Sequence, residues 1–490
     1  MKKIALLLFT LRLFNPVWAQ DAEISSTALV GTSSTGLRST TLTLEQCIAL
    51  ALENQPAMRQ SVLQKQVADN TVEQTRKSQL PTLSALNNQG MNFGRSVDPY
   101  TNGIINAQIA TSNAGLGLNW TVFNGFQLKN TLLQQSLIAQ ASQFDVAATK
   151  NSLTLNTLLA YLQVLSAQDL LTASAVQVAV AQTQVERTEK LVKAGTVSPY
   201  NLYDAKSQLA SDEMQQVQAK TNLNASMLTL LQVLNLPANT PVQLVRMSGA
   251  VSTQPGSTDA HRLYSQARTF MPEVLAADLR TRAAQKGLDL AKGLAYPSVT
   301  LSANWGTSFS SAARQNVFGT DLIEQTTTGF VDVAGQSYPV KVLTQTASTE
   351  RIGYFRQLDN NQYKTLGLSI RIPILNGFQV RYRTTNARLQ QQLAESQAEG
   401  VRRNLRQAID QAVNQLENAY DRYRAFDQQV TVLTQSFKAA EARYNAGLLN
   451  AVEYNLAKSN LDRASINLIQ LRYETLLREK IVDFYRRGEL

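Results

Sequence analysis

The residues of this chain that could support catalysis or metal binding are few. The sequence contains one histidine, His261, and one cysteine, Cys47. A single histidine excludes a histidine-rich metal site, and a single cysteine excludes an intrachain disulfide. No catalytic grouping of side chains is visible, and no glycine-rich phosphate loop follows a predicted strand. The sequence therefore predicts a protein that is not an enzyme and that holds no cofactor and no metal.

Two carboxylates stand out because each lies just after a predicted turn between long helices. Asp204 follows the turn at Ala194-Gly195-Thr196, and Glu453 follows the turn at Ala446-Gly447-Leu448. Acidic residues are favoured in the first turn of any helix, because they stabilise the positive end of its dipole. The role of these two side chains therefore depends on the elements that position them.

A strand-like stretch that ends in Asn-Gly-Phe occurs twice in the chain. Before each Asn-Gly-Phe, at 116–122 and at 366–374, large apolar residues alternate with mostly small or polar ones. A strand with one apolar face requires this alternation. Two further stretches, 82–93 and 298–309, complete a set of four predicted strands, although the alternation in the first of them is ragged.

A very long helix is predicted after each Asn-Gly-Phe. Residues 127–194 contain no glycine and no proline, and a helix of that length would reach roughly 100 Å. Each long helix ends at a glycine turn and is followed by a second helix, which predicts antiparallel helical hairpins. Pro272 lies 216 positions after Pro56 (272 − 56), and Gly377 lies 252 positions after Gly125 (377 − 125). The chain is therefore predicted to contain two structural repeats.

The predicted segments follow from these patterns. A charged start and an apolar run predict an export signal, and a stretch rich in Ser, Thr and Gly predicts a flexible leader. The segments are a signal peptide (1–19), the leader (20–41), a first repeat (42–236), a connector (237–258) and a second repeat (259–490) with a long loop between its strands (310–362). Each repeat is predicted to contain a helix, two strands and a long helical hairpin. No stretch outside the signal peptide is predicted to cross a bilayer as a helix.

The basic balance of the chain does not predict nucleic-acid binding. The net charge of +10 falls to +7 (10 − 3) without the three basic residues of the predicted signal peptide. The remaining Lys and Arg residues are scattered along helices and form no blocks interleaved with aromatic residues, as a nucleic-acid surface would require.

The four predicted strands fit a membrane better than a soluble core. Each is about ten residues long with one apolar face, as is typical of tilted transmembrane strands. The alternative is a soluble antiparallel sheet whose apolar face packs on a core. Trp120 and Trp305 are compatible with two roles, as anchors at a lipid interface or as ordinary strand residues. Because the smallest bacterial barrels have about eight strands, a barrel would have to pool strands from two or three copies of the chain.

These features together resemble the outer membrane efflux protein family, the TolC-like channel-tunnels, over nearly the whole mature chain. The resemblance is carried by the duplicated architecture, the Asn-Gly-Phe strand ends, the two glycine turns, and Thr43-Leu44-Glu45-Gln46 with Pro56. The polar stretch Asn92-Phe93-Gly94-Arg95-Ser96 is similar to Bacteroidetes members of the family.

The resemblance implies an α+β membrane protein that forms a homotrimer. Its twelve-stranded outer-membrane β-barrel, with four strands from each chain, would continue into a long periplasmic α-helical barrel. The implied function is a passive channel-tunnel in a tripartite efflux or type I secretion system. Its implied partners are a periplasmic adaptor (membrane fusion) protein, an inner-membrane pump and outer-membrane lipid. The alternative function is a periplasmic coiled-coil scaffold without a pore.

The resemblance also assigns roles to residues near the glycine turns. The periplasmic tip, where the adaptor would dock, would be formed by Gly195, Thr196, Val197, Gly447, Leu448 and Leu449. Six residues after each tip glycine the family commonly places an aspartate, whereas this chain has Asn201 and Glu453. A ring of Glu453 carboxylates around a narrow axis would favour cations. Glu453, Asp204 and Asn201 are therefore candidates for an aperture gate.

Overall fold

The computed structural model describes residues 40–97, 103–106, 108–246 and 259–488. The predicted signal peptide, most of the predicted leader and residues 247–258 of the connector lie outside these ranges. The first half of the described chain contains β1 (Thr40–Leu42), α1 (Leu44–Asn54), α2 (Pro56–Lys77), β2 (Thr82–Asn92), β3 (Arg95–Val97), β4 (Ile104–Asn106), β5 (Ile109–Asn124), α3 (Gln127–Lys193), α4 (Pro199–Val233) and β6 (Val242–Leu244).

The second half repeats much of this order. It contains α5 (Ala260–Ala267), α6 (Pro272–Gly293), β7 (Ser298–Ser310), β8 (Arg314–Val333), β9 (Gln336–Arg351), α7 (Tyr354–Asn360), β10 (Tyr363–Arg371), α8 (Gln379–Asn445) and α9 (Ala451–Arg487). Pro56 and Pro272 are the first residues of α2 and α6, where the missing N–H of proline costs no helical hydrogen bond. Pro56 therefore separates the short α1 from α2.

The long helices end where the glycines are. α3 and α8 each contain 67 residues, which corresponds to about 100 Å. Gly195 and Gly447 follow them with φ of +73° and +72°. At the first turn, the N–H of Thr196 donates to the carbonyl of Leu191 and that of Gly195 to the carbonyl of Val192, both at 3.0 Å. This pattern is a Schellman motif, which requires a left-handed residue at the glycine position.

Four strands form one antiparallel sheet in the order β10-β7-β5-β2. Because neighbouring strands are antiparallel, the connections from β2 to β5 and from β7 to β10 lie at one end of the sheet. The junctions of these strands with α2, α3, α6 and α8 all lie at the other end. The sheet therefore joins α2, α3, α6 and α8 at one end.

The prediction of a loop at 310–362 is wrong, because this segment contains β8, β9 and α7. β8 and β9 form a long hairpin, named here the ribbon. It closes through Ala334 and Gly335, both with positive φ, the combination that a two-residue hairpin turn requires. The abundant Thr, Gln and Ser of this segment suggested a loop, although they are compatible with solvent-exposed strands.

Smaller corrections concern the ends of predicted elements. Thr40 and Thr41, assigned to the flexible leader, belong to β1, which pairs in parallel with β6. The segment between β2 and β5 contains the small hairpin of β3 and β4. Ile372 and Ile374 continue the apolar alternation but lie beyond the end of β10.

The helices bury two apolar clusters. One joins α5, α6, α8 and α9, and the other joins α1, α3 and α4 with β1. α3 contains a window apolar enough to cross a membrane by length and composition alone, contrary to the prediction that no such stretch would follow the signal peptide. Leu158, Tyr161 and Leu165 of α3 are buried in the second cluster beside Cys47 and Leu230. Packing within the chain buries 33% of the apolar window.

Candidate functional site

The Asn-Gly-Phe motifs are the points where strands turn into long helices. Gly125 and Phe126 have φ of +66° and +62°, and Gly377 and Phe378 both have φ of +60°. Two successive left-handed residues redirect the chain from the sheet into the helix, and the phenylalanine becomes the residue that precedes the first helical turn. In the first motif the side chain of Asn124 accepts the N–H of Leu128 at 3.1 Å, which supplies part of the helix cap.

The two junctions differ in their surroundings. A side-chain carbon on Gly125 would overlap the carbonyl oxygen of Gly293 and lie 2.9 Å from Cβ of Tyr296. The rings of Phe126 and Tyr296 meet edge to face at 6.4 Å. At Gly377 the same construction meets nothing within 4 Å. The first junction is therefore packed against the end of α6, whereas the second is open within one chain.

The paired residues of the sheet have an apolar face and a polar face. The apolar face contains Leu83, Leu116, Leu118, Trp120, Val299, Leu301, Ala303, Trp305, Leu366, Leu368 and Ile370. Most of these side chains are well exposed, up to 78% for Leu366. The opposite face consists mostly of Ser, Thr, Asn and Gly, and Arg371 is the only charged residue among its paired positions. An exposed apolar face beside a small polar face is the pattern of a barrel wall between lipid and water.

The register also locates the two tryptophans on the apolar face. Trp305 lies opposite Lys364, and the next paired positions beyond this row, Asn87 and Thr307, are polar. Trp305 therefore lies at the end of the continuous apolar rows away from the helices, and Met91 and Phe309 lie farther along the same face. Trp120 lies opposite Leu301, four residues nearer the helices, and its Nε1–H donates to the carbonyl of Gln79 at 2.9 Å.

The predicted tip residues lie at the free ends of the two helical hairpins. Thr196 and Val197 follow Gly195, and Leu448 and Leu449 follow Gly447, in the turns that connect the helices. Several large side chains near these turns are strongly exposed, namely Tyr200, Tyr203, Leu448, Val452 and Leu456. The ends of both hairpins therefore present apolar surface.

The predicted gate residues are only partly brought together. The side chain of Asn455 donates to Asp204 at 3.1 Å, which links α9 to α4. Glu453 lies in the first turn of α9, where its N–H donates to the side chain of Asn450 at 2.8 Å. Asn201 lies in the first turn of α4 and donates its N–H to the carbonyl of Ser198. Within one chain, Glu453 occupies the first turn of α9, where an acid is favoured, whereas Asp204 lies beyond the first turn of α4.

An aromatic cluster ties the hairpins together just behind the tip. The rings of Tyr444 and Tyr454 stack at 4.6 Å, Gln184 donates to the Tyr444 hydroxyl at 2.8 Å, and the Arg187 guanidinium lies 5.8 Å from the Tyr444 ring. Burial raises the pKa of Tyr454 to about 12. The sequence showed Tyr444 as part of an apolar helical stripe but gave no signal for its partners on α3.

A buried ion pair links α9 to α4 farther from the tip. Lys458 Nζ lies 2.6 Å from Asp212 Oδ2, and the two side chains are 7% and 4% exposed. Gln208 donates to the other oxygen of Asp212 at 2.8 Å, and Asp462 lies 3.8 Å from Lys458. Removal of one partner of such a pair is costly, because it leaves the other charge buried without compensation. Sequence reasoning missed the pair because its members are 246 positions apart.

Asp462 provides a pH-dependent test of this network. Burial raises its pKa above the ordinary value, against the attraction of Lys458, and Asp212 raises it further. A carboxyl with a raised folded-state pKa stabilises the fold below its unfolded pKa, and that contribution is lost as pH rises through the folded pKa. We expect Asp462→Asn to raise the midpoint of thermal unfolding at neutral pH. The gain should vanish in acid, and a gain of equal size at every pH would contradict this assignment.

The described residues hold no group of three or more His, Cys, Asp and Glu side chains that could bind a metal ion. The main surfaces that the described residues present are an exposed apolar sheet face, a polar sheet face, and two long hairpins with apolar ends.

Comparison with known proteins identifies this arrangement. A profile of the outer membrane efflux proteins matches residues 47–236 and 263–480. Outer membrane protein TolC of Vibrio cholerae is 23% identical over 430 residues, which cover 87% of this chain and 86% of that protein. TolC of Escherichia coli K12 is 23% identical over 457 residues, which cover 92% and 84%.

Solved structures show the same fold. CusC, described as forming a transmembrane channel, aligns with a TM-score of 0.72 at 17% identity and covers 93% of this chain and 94% of its own. The CmeC outer membrane channel of Campylobacter jejuni aligns with a TM-score of 0.66 at 16% identity and covers 91% and 85%. The predicted family, the outer-membrane location and the efflux-channel class are confirmed. The chain belongs to the outer membrane efflux protein family.

Proposed function

We propose that three copies of this chain form a passive channel-tunnel across the outer membrane and the periplasm. In a tripartite efflux or type I secretion system, it would receive substrates from an inner-membrane pump through a periplasmic adaptor protein. The observation that carries the proposal is that a single chain forms an incomplete wall, with two free sheet edges and one open junction.

The free edges belong to β2 and β10, which end the four-stranded sheet. In lipid, an unpaired strand edge leaves backbone N–H and C=O groups without partners at a cost of several kcal/mol each. Pairing β10 of one copy with β2 of the next removes every edge. Two copies would give eight strands, whose interior is just filled by side chains, so three copies and twelve strands suit a conduit.

The open junction at Gly377 also points to a neighbouring copy. Within the chain, the Gly125 junction is covered by the end of α6, through Gly293 and Tyr296. The repeat offset of 216 makes Leu80, just after α2, the equivalent of Tyr296 (296 − 216). The offset of 252 makes Phe378 the equivalent of Phe126 (126 + 252). Leu80 and Phe378 are 63% and 61% exposed. In the proposed trimer, Leu80 of one copy covers Phe378 of the next.

A cysteine pair tests this contact. We expect Leu80→Cys with Phe378→Cys to be linked between copies by a short bismaleimide, so that denaturing gels show covalent dimers and trimers. The matched control is Phe126→Cys with Tyr296→Cys, whose link lies within one chain and leaves monomers. Each single variant should give no link. Intact trimers whose Leu80–Phe378 link is absent or confined to one chain would contradict the proposed neighbour contact.

The ends of the tunnel receive roles in the same proposal. The turns at Gly195, Thr196 and Val197 and at Gly447, Leu448 and Leu449 would form the periplasmic tip, where exposed apolar side chains dock the adaptor. Three Glu453 carboxylates would converge on the axis, with Asp204 and Asn201 beside them. A narrow ring of carboxylates attracts cations, so the channel would be cation-selective at this aperture.

The other end of the wall meets lipid and water. Trp305 lies at the end of the continuous apolar rows, and aromatic side chains are favoured at a membrane surface. Trp120 lies nearer the helices and is fixed by Gln79, which suits the periplasmic side of the membrane. Outer-membrane lipid would cover the apolar face between them and towards the helix junctions.

Planar-bilayer recording of the purified protein tests the proposal directly. We expect heat-resistant trimers in detergent and single-channel currents that carry cations better than anions. The alternative, a periplasmic scaffold without a pore, predicts a protein that stays in solution without detergent and gives no current. That result would overturn the channel proposal.

A further inference from the structure

The ribbon of β8 and β9 is the part of the second half that has no counterpart of similar size in the first. Its strands contain 20 and 16 residues, and β9 alone would span roughly 50 Å. The base of the ribbon is firmly held. Gln357 of α7, which is 1% exposed, donates to the carbonyls of Ser310 and Ile352 and accepts the N–H of Ser310.

The two faces of the ribbon differ in charge. Where the pairing of the two strands is irregular, the extra residues lie on β8. The alternation along β9 is therefore continuous, and its even-numbered residues lie on one face of the ribbon together with their β8 partners. From Gln336 to Thr344 this face carries no charged residue, and we name this part the uncharged face; Asp321, in an irregular stretch of β8, and Glu350 lie nearer the base of the ribbon. The uncharged face consists of Ile323, Gln325, Val331, Val333, Gln336, Tyr338, Val340, Val342 and Thr344. Its apolar side chains are exposed, for example Val333 at 58% and Tyr338 at 53%.

The opposite face mixes charges with apolar residues. It carries Arg314, Glu324, Asp332, Lys341 and Arg351 among its paired positions, with Lys341 Nζ 3.2 Å from Glu324. It also exposes large apolar side chains, namely Phe318, Leu322, Phe330 and Leu343. The feature that separates the two faces is therefore charge and not apolarity.

A two-stranded hairpin of this length is marginally stable when it stands alone in water. Within the described residues, the ribbon strands pair only with each other. An exposed face rich in Val, Ile and Tyr therefore indicates a surface that is covered in the assembled protein.

We propose that the uncharged face packs against the same face of the neighbouring copies, so that three ribbons meet at the extracellular mouth of the channel. This inference rests on the proposed trimer. Rotational symmetry brings identical residues together around the axis, so a charge on a central face would meet the same charge from each copy. The opposite face, with Arg314, Lys341 and Arg351, would incur this repulsion. The uncharged face incurs none.

The position of the ribbon supports the same partner. It is inserted between β7 and β10, and β10 is the edge strand at which the next copy would pair. Each ribbon is thus anchored beside a boundary between copies, where tethering gives the ribbons a high effective concentration. A lipid surface fits less well, because lipid-binding faces border their apolar residues with Lys and Arg that contact phosphate. No paired position of the uncharged face, from Gln336 to Thr344, has such a residue.

Single cysteines on adjacent residues test the proposal in intact outer membranes. Val342 lies on the uncharged face and Leu343 on the opposite face, and both are exposed in one chain, at 44% and 61%. Under mild oxidation we expect Val342→Cys to form disulfide-linked dimers and Leu343→Cys to remain almost unlinked. The native Cys47 is buried, so the wild-type protein should give no dimer.

Each outcome separates the ribbon contact from the trimer itself. Intact trimers in which Val342→Cys is not linked, or in which both variants are linked equally, would overturn the packing of uncharged faces. Val342→Cys that is neither linked nor accessible to a soluble maleimide would assign the face to lipid or another protein, and would also overturn it. Absence of heat-resistant trimers in the wild type would instead overturn the proposed function.

Discussion

The Lys458→Ala variant is expected to lose about 3–5 kcal/mol of its free energy of unfolding. Lys458 and Asp212 are both almost fully buried and lie 2.6 Å apart, so removal of the lysine leaves the carboxylate of Asp212 in a poorly hydrated site. Gln208 would remain as a neutral partner, which cannot balance the charge. Thermal unfolding in detergent, followed by the helical circular dichroism signal, measures the loss.

Two controls separate the buried charge from a general effect of mutation. Lys193 forms an exposed pair with Glu189 on α3, and because exposed pairs contribute little, Lys193→Ala should leave the unfolding midpoint nearly unchanged. The double variant Lys458→Met with Asp212→Leu removes both charges and should recover much of the lost stability. A Lys458→Ala midpoint equal to that of the wild type would show that water reaches the pair.

Gly125→Ala is expected to lose roughly 2–5 kcal/mol through strain and overlap. The left-handed backbone at Gly125 disfavours any side chain, and the added carbon would overlap the carbonyl of Gly293. The strand, the start of α3 and the end of α6 would have to separate. The yield of heat-resistant trimers in outer membranes and their thermal midpoint measure the effect.

Gly377→Ala is the matched control, because Gly377 has the same left-handed backbone without a close neighbour in the chain. We expect Gly377→Ala to lose about 1–2 kcal/mol of its free energy of unfolding, from backbone strain alone. In the proposed trimer, the repeat offset places Lys77 of the next copy where Gly293 lies in the first junction (293 − 216). Since a lysine carries a side chain, that contact cannot be as close. Equal losses for both variants would indicate two equally tight junctions.

The elements that sequence reasoning located best have strong local signals. Gly195 and Gly447 end the long helices because left-handed residues are needed there, and glycine reveals that need directly. The Asn-Gly-Phe motifs likewise marked the starts of α3 and α8, although β10 already ends at Arg371. The left-handed conformations of Phe126 and Phe378 are not predictable from residue type. Alternation of apolar residues was enough to find β5, β7 and β10, because each has one exposed apolar face.

The features that the sequence did not reveal depend on distant partners or on composition. Lys458 finds Asp212 only after two hairpins pack together, and the cluster around Tyr444 depends on Arg187 and Gln184 of another helix. The ribbon was missed for a different reason. Its Thr, Gln and Ser residues are typical of loops, and the extra residues of β8 interrupt the alternation that a strand search requires.

The equal length of α3 and α8 limits how this chain can evolve. Deletion of one residue from either helix would turn every later side chain by about 100° and shorten that helix by about 1.5 Å. The two glycine turns would then lie at different levels along the helix axes, and the side chains that contact each other between the hairpins would no longer be aligned. Insertions and deletions in the long helices are therefore tolerated only when both helices change together. The ribbon has no segment of similar size in the first repeat whose length it must match. We therefore expect its length to vary independently of the helices.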